Sequence, residues 1–152
     1  FAAEEFAFVP KESFKIAREQ ADDEIKRDSA FEAYASDIDD AVLQIALHNA
    51  EKAGVSDRVR VFNRDARDIG SEGRRGTVVC NPPYGERLGT AAQARELYRD
   101  IGKSWRRLER WQRYILTSDE EFERFYGTRA DKVRRLYNGM IKCGLYQYFR
   151  NK

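Results

Sequence analysis

Histidine and cysteine are scarce in this chain: among 152 residues His48 is the sole histidine, and Cys80 and Cys143 are the two thiols. Metal sites are built from clusters of such ligands, and a nucleophilic triad needs a base beside its nucleophile. One histidine inside a helical pattern, with no carboxylate constellation around it, supports neither chemistry. The two cysteines give no zinc set and suit a reducing cytosol, so a cytoplasmic location is expected. No apolar run is long enough to cross a bilayer, and no signal-peptide pattern opens the chain. A dominant charge is missing too, with 28 basic against 26 acidic residues and a net charge of +2. Binding to nucleic acid through the overall field calls for a clear basic excess or patch. The basic residues do cluster, as Arg106, Arg107, Arg110 and Arg113 and as Lys132, Arg134 and Arg135. Each cluster taken alone reads as the solvated face of a helix or strand.

What is present is the composition of a globular protein, 41% hydrophobic and 36% charged, which can bury a real core. The length fits one domain, spanning 1–152, with no linker, repeat or low-complexity segment inside it. Phe1 is not an initiator methionine, and Phe1–Phe8 reads as the interior of something longer. The chain is therefore expected to be a piece of a larger protein.

Helical and strand-like patterns alternate along it. Phe14, Ala17, Ala21 and Ile25 predict a helix over 11–27. A short strand over 31–36 runs into Asp37-Ile38-Asp39-Asp40, where Asp39 can cap a helix that Gly54 stops. Strands follow at 58–62 and 77–80, the latter wholly buried in character. A long helix is predicted over 91–111, striped by Leu97, Ile101, Trp105 and Leu108. A strand over 113–117 precedes a short helix containing Phe122, Phe125 and Tyr126, capped by Ser118 or Asp119. Two last strands flank Asn138-Gly139, a favoured two-residue hairpin turn. The pattern is that of an α/β fold: a mostly parallel sheet with helices on both faces and an antiparallel closing strand supplied by the hairpin.

Ligands of such sheets bind beyond the carboxyl ends of the strands, and three strand ends carry polar residues. Asp37 ends the first and can accept both ribose hydroxyls of a nucleoside cofactor. Asp65 follows the second and can accept an adenine amino group, with the backbone of Ala66 donating to a ring nitrogen. An aspartate at either place serves equally well as a helix cap or turn residue. Asn81-Pro82-Pro83-Tyr84 follows the third. Two prolines after a buried strand make a stiff corner, which can aim the Asn81 side-chain oxygen and the Pro82 carbonyl at one point. An exocyclic base amine is a poor nucleophile because its lone pair is delocalised into the ring. Two acceptors on its hydrogens favour a tetrahedral nitrogen and turn that lone pair toward an incoming methyl group. Tyr84 offers a ring on which an unstacked base can lie. The plain alternative is a proline-rich turn, less natural after a buried strand, third in an ordered series.

With these residues the sequence resembles the amino-group methyltransferases that carry an (Asp/Asn)-Pro-Pro-aromatic motif. Within them it resembles the bacterial RNA methylases with an upstream RNA-binding THUMP domain, which include rRNA guanine-N2 methyltransferases. The likeness rests on Ser36–Asp39 and the helix to Gly54, on Asp65-Ala66-Arg67-Asp68, on Asn81–Gly89, and on Leu136–Gly139 with Ile141-Lys142-Cys143. It implies a Rossmann-like sheet that binds S-adenosyl-L-methionine. It makes Asp37, with Ile38, the ribose-side group and Asp65, with Ala66, the adenine-side group. Asn81, Pro82, Pro83 and Tyr84 become the catalytic group, Asn81 bordering the cofactor as well, and RNA, above all ribosomal RNA, becomes the partner. The family's Gly-rich cofactor loop has no counterpart in residues 1–152, so this stretch by itself is expected to bind the cofactor poorly. Two other readings remain: an adenine-N6 methylase acting on DNA or RNA, and a non-catalytic nucleic-acid-binding module.

Overall fold

The computed structural model describes residues 2–70, 75–84 and 89–149. They form two compact units, Phe1–Ala33 and Tyr34–Lys152. In the first, a 3-10 turn at Ala2–Glu5 precedes α1 (Lys11–Asp23), which buries none of its residues. Arg18 bonds Glu4, and the rings of Phe6 and Phe8 stack 5.5 Å apart. The helix stops four residues short of the expected end. Ile25, the last member of the predicted stripe, lies beyond it and is exposed, so no burial extends the helix that far.

The second unit holds the sheet. β1 (Ala33–Asp37) pairs with β2 (Val59–Asn63) as a two-stranded sheet, joined by α2 (Asp40–Lys52). Asp39 caps α2 by accepting from the Ala41 amide at 2.8 Å. Gly54, at φ +68°, ends it in the left-handed conformation that glycine adopts without strain. β3 (Gly76–Cys80), β4 (Trp111–Thr117), β5 (Lys132–Asn138) and β6 (Ile141–Tyr148) form a second sheet in the order β3-β4-β6-β5. β3 and β4 are parallel, while β6 runs antiparallel to both β4 and β5. The antiparallel closing strand is thus where the Asn-Gly pair placed it. The turn is shifted by one residue, however. Asn138 pairs with Ile141, leaving Gly139 and Met140 as the connection. Gly139 at φ +62° takes the first central position, where a hairpin of this length favours glycine.

α3 (Ala91–Ser104) begins with a capping box: Gln93 Oε1 accepts from the Thr90 amide at 2.8 Å, and Thr90 Oγ1 accepts from the Gln93 amide. It buries Ala94, Tyr98, Ile101 and Gly102. The expected helix over 91–111 is too long. The chain tightens into a 3-10 turn at Trp105–Arg107, and Trp111 already belongs to β4. Trp105 and Leu108 are still fully buried, so the apolar spacing is the same in both arrangements and cannot separate them. β3 is not buried on both faces either. Val78 faces the core while Val79 is 77% exposed on the opposite side. The predicted cap of α4 (Phe122–Tyr126) also differs. Asp119 accepts from the Glu121 amide in the turn before the helix, and Glu121 occupies the cap position.

Aromatic rings knit this core. Phe122 meets Tyr98 edge-on at 5.0 Å and lies 4.7 Å from Tyr146, and Tyr126 lies 4.9 Å from Tyr148. Such offset and edge-to-face pairs add about 0.5–1.5 kcal/mol each beyond their buried area. They bind α3 and α4 to one face of the four-stranded sheet, leaving its carboxyl edge free for loops.

Candidate active site

The carboxyl ends of β1, β2 and β3 present the three polar groups expected from the sequence. Asp37 is the last residue of β1, half-buried. Its Oδ1 accepts from the Asp39 amide at 3.0 Å, and its carbonyl accepts from the Arg64 amide at 3.0 Å. The carboxylate oxygens retain lone pairs, as the ribose role requires. Ile38 follows, 68% exposed, its carbonyl accepting from Asn63.

Asp65 opens a short 3-10 turn, Ala66–Asp68. One of its oxygens accepts from the Arg67 amide and the other from the Arg67 guanidinium, both at 2.8 Å. Arg67 also reaches Asp100 on α3 at 3.0 Å. Trp105, fully buried, donates its indole N–H to the Ala66 carbonyl at 2.7 Å, and Arg107 donates to the carbonyls of Arg67 and Ile69. Asp65 therefore acts as the turn residue that the sequence left open, and its loop is fastened to α3 and the turn that follows. Nothing in the spacing of Arg67, Trp105 and Arg107 announced that role.

Asn81-Pro82-Pro83-Tyr84 leaves β3 with Asn81 exposed, Pro82 buried and Tyr84 half-buried. The Tyr84 hydroxyl donates to Asn81 Oδ1. An amide oxygen has two lone pairs, so this bond orients the Asn81 side chain and still leaves an acceptor site. Burial raises the Tyr84 phenol, and the neighbouring Cys143 sulfur on β6 adds to the shift, so the hydroxyl remains a donor at neutral pH. At the strand end itself, burial pushes the Cys80 thiol up to about 11. It stays protonated and is no nucleophile near neutrality. The run Gly85–Leu88 lies outside the described residues, as does the side chain of Asn138; of the extended motif only Gly89 is described.

α3 is the common support. Tyr98 bonds the Pro83 carbonyl, Asp100 bonds Arg67, and the turn at its end holds Ala66. Tyr98 and Trp105 stand seven residues apart, roughly 10 Å along a helix, so one rigid element sets the spacing of the Asp65 and Asn81 loops. Asp37 joins them through the pairing of β1 with β2. Among the described residues no group of three or more His, Cys, Asp or Glu side chains could hold a metal ion, and no helix is long and apolar enough to cross a membrane.

Residues 2–147 match the family described as RMKL-like, methyltransferase domain. The chain is 38% identical over 149 residues to "Putative RNA methyltransferase YpsC" of Bacillus subtilis, covering 98% of this chain and 39% of that protein. It is 42% identical over 119 residues to ribosomal RNA large subunit methyltransferase K/L of Legionella pneumophila, covering 77% of this chain and 17% of that protein. Among solved structures it resembles SMU.472, "a putative methyltransferase complexed with SAH", with a TM-score of 0.86 and 34% identity, over all of this chain and 40% of that one. The chain thus spans well under half the length of these relatives. Its strand-end residues, its closing hairpin and these matches agree, and the chain belongs to the RMKL-like methyltransferase domain family.

Proposed function

We propose that the protein containing this chain transfers a methyl group from S-adenosyl-L-methionine to an exocyclic amino nitrogen of a base in RNA, the target being guanine N2 of ribosomal RNA. The observation that carries this reading is the Asn81-Pro82-Pro83-Tyr84 corner at the end of β3, where Tyr84 orients the Asn81 carbonyl and α3 clamps the Pro83 carbonyl. The cofactor supplies an electrophilic methyl group on a sulfonium, and the remaining work is positioning. Asn81 Oδ1 and the Pro82 carbonyl accept the two hydrogens of the amine and turn its lone pair outward. The Tyr84 ring supports the base once it leaves its stack. Asp37 and Ile38 hold the ribose side, and Asp65 and Ala66 hold the adenine side. Asp65 does so with the lone pairs that Arg67 leaves free.

These residues fit the adenosine half of the cofactor by donor and acceptor type. The choice of ribosomal RNA rests on the family and on relatives whose names state that substrate. The weak net charge gives this stretch a small share of the proposed RNA affinity, and a cytoplasmic setting is proposed on the two free cysteines, Cys80 and Cys143.

The test is methyl transfer by the full-length protein onto unmodified ribosomal RNA with labelled cofactor, followed by digestion to nucleosides. Label in N2-methylguanosine is the expected result. Label in N6-methyladenosine would keep the amine chemistry and replace the base, and an unlabelled digest would overturn the reading.

Asp37→Ala tests the ribose assignment separately. Losing a carboxylate that accepts hydrogen bonds removes about 1.5–3 kcal/mol, so the dissociation constant for S-adenosylhomocysteine, measured calorimetrically, should rise on the order of 10- to 100-fold. An unchanged constant would show that Asp37 only caps the turn at Asp39.

A further inference from the structure

The site residues inferred from the sequence lie at strand ends and in the turns that follow them, and the element that fixes the Asn81 loop was not among them. Tyr98 is fully buried on α3, and its hydroxyl lies 3.1 Å from the Pro83 carbonyl and 3.0 Å from Thr117 Oγ1. Thr117 is the last residue of β4, itself fully buried, and its Oγ1 accepts from the Asp119 amide at 3.1 Å. Counting protons fixes the direction of this chain. The Pro83 carbonyl can only accept, so the single Tyr98 hydrogen goes there. The Asp119 amide can only donate, so it points at Thr117. The one hydrogen left for the Tyr98–Thr117 contact is that of Thr117. The run is therefore Asp119 N–H to Thr117, Thr117 O–H to Tyr98, and Tyr98 O–H to Pro83. Burial raises the Tyr98 phenol, so it stays a donor at any physiological pH.

The far end is anchored as well. Burial would raise the Asp119 carboxyl, but Arg95 and the Glu121 amide hold it below the usual carboxylate range. Arg95 Nε meets Asp119 Oδ2 at 2.8 Å, and Tyr146 donates to the Asp119 carbonyl at 3.3 Å. Arg95 and Tyr98 lie three residues apart on one face of α3, so helix, strand end and proline corner share one bonded network. The Pro83 carbonyl fixes the peptide plane that leads into Tyr84, and through the Tyr84–Asn81 bond it fixes the Asn81 side chain.

We propose that Tyr98 and Thr117 are positioning residues for methyl transfer, holding the Asn81-Pro82-Pro83-Tyr84 corner in its reactive geometry without touching substrate or cofactor. The proposal rests on the amine-binding role of Asn81 given above. A small displacement of a reacting group costs on the order of 100-fold in rate, so the expected signature is in turnover and not in binding.

The experiment uses the full-length protein and ribosomal RNA, with Tyr98→Phe, Thr117→Val, Thr117→Ser and Asn81→Ala compared. Tyr98→Phe and Thr117→Val should each lower kcat roughly 10- to 100-fold, with KM for RNA and the dissociation constant for S-adenosylhomocysteine changed less than threefold. Thr117→Ser, which keeps the hydroxyl, should restore most of the kcat that Thr117→Val loses. Thermal midpoints of all variants separate this from loss of fold. Wild-type kcat in Tyr98→Phe, or equal losses in the two Thr117 variants, would overturn the positioning role. If Asn81→Ala retains activity, the amine-binding reading fails first, and the positioning claim falls with it.

Discussion

Asn81→Ala in the full-length protein is expected to lower the rate of methyl transfer about 1,000-fold while leaving cofactor affinity nearly unchanged. The side-chain oxygen of Asn81 is held by the Tyr84 hydroxyl and keeps one lone pair, the acceptor proposed for the substrate amine. Alanine removes that acceptor, and only the Pro82 carbonyl remains to compete with the ring for the amine's electrons. Removing one preorganised polar group from a transition state costs on the order of 100- to 1,000-fold in kcat. The loss should be at the upper end, because Tyr84 is released at the same time and its ring loses its fixed orientation. Cofactor binding is proposed to rest instead on Asp37 and on the Asp65 loop, which is tied to Trp105 and Arg107 and not to Asn81. Single-turnover rates beside calorimetric titration of S-adenosylhomocysteine separate the two quantities. A variant that kept most of its rate would remove the amine-binding role.

The second large effect concerns stability. Gly102→Ala should lower the thermal midpoint of the folded chain by roughly 4–8 °C. Gly102 lies in α3 where α4 crosses it, and a Cβ there would overlap the Tyr126 carbonyl oxygen, with the Tyr126 carbonyl carbon 2.9 Å away. Both neighbours are backbone, so no rotamer change makes room. Alanine is the better helix former by about 1 kcal/mol, but forced overpacking of this kind costs about 3 kcal/mol or more. The helices must separate, and the ring contacts of Tyr126 with Phe122 and Tyr148 loosen with them. At roughly 2–4 °C per kcal/mol for a chain of this size, the shift is readily seen by circular dichroism. A midpoint within 2 °C of wild type would show that α3 and α4 do not approach this closely.

Much of the local geometry of the candidate site was legible without coordinates, for a physical reason. Proline fixes φ and removes a donor wherever it occurs, so Pro82-Pro83 after an apolar strand announces a stiff corner from sequence alone. Aspartate at a strand-to-helix junction caps or accepts locally, and Asp37, Asp39 and Asp65 all sit where the short-range pattern set them. Asn-Gly in a run of strand formers specified the closing hairpin to within one residue. These are local rules, acting over two to four residues.

Tertiary structure decided what local rules cannot express. Whether the stripe Leu97, Ile101, Trp105 and Leu108 continues as helix or tightens after Ser104 depends on where β4 must begin, and both forms bury the same side chains. Val78 and Val79 are chemically equivalent, and only the helices packed on one face make one core and the other surface. The Tyr98 hydroxyl reaches the Asn81 loop and the end of β4 through partners 15 and 19 residues away, and Trp105 reaches the Asp65 loop through one 39 residues away. Hydrogen bonds of that span leave no period or motif in the sequence. By itself the sequence determined which groups could do the chemistry and on which strand ends they stand. The fold alone determined which buried side chains hold those groups still, because rigidity comes from packing between elements distant in the chain.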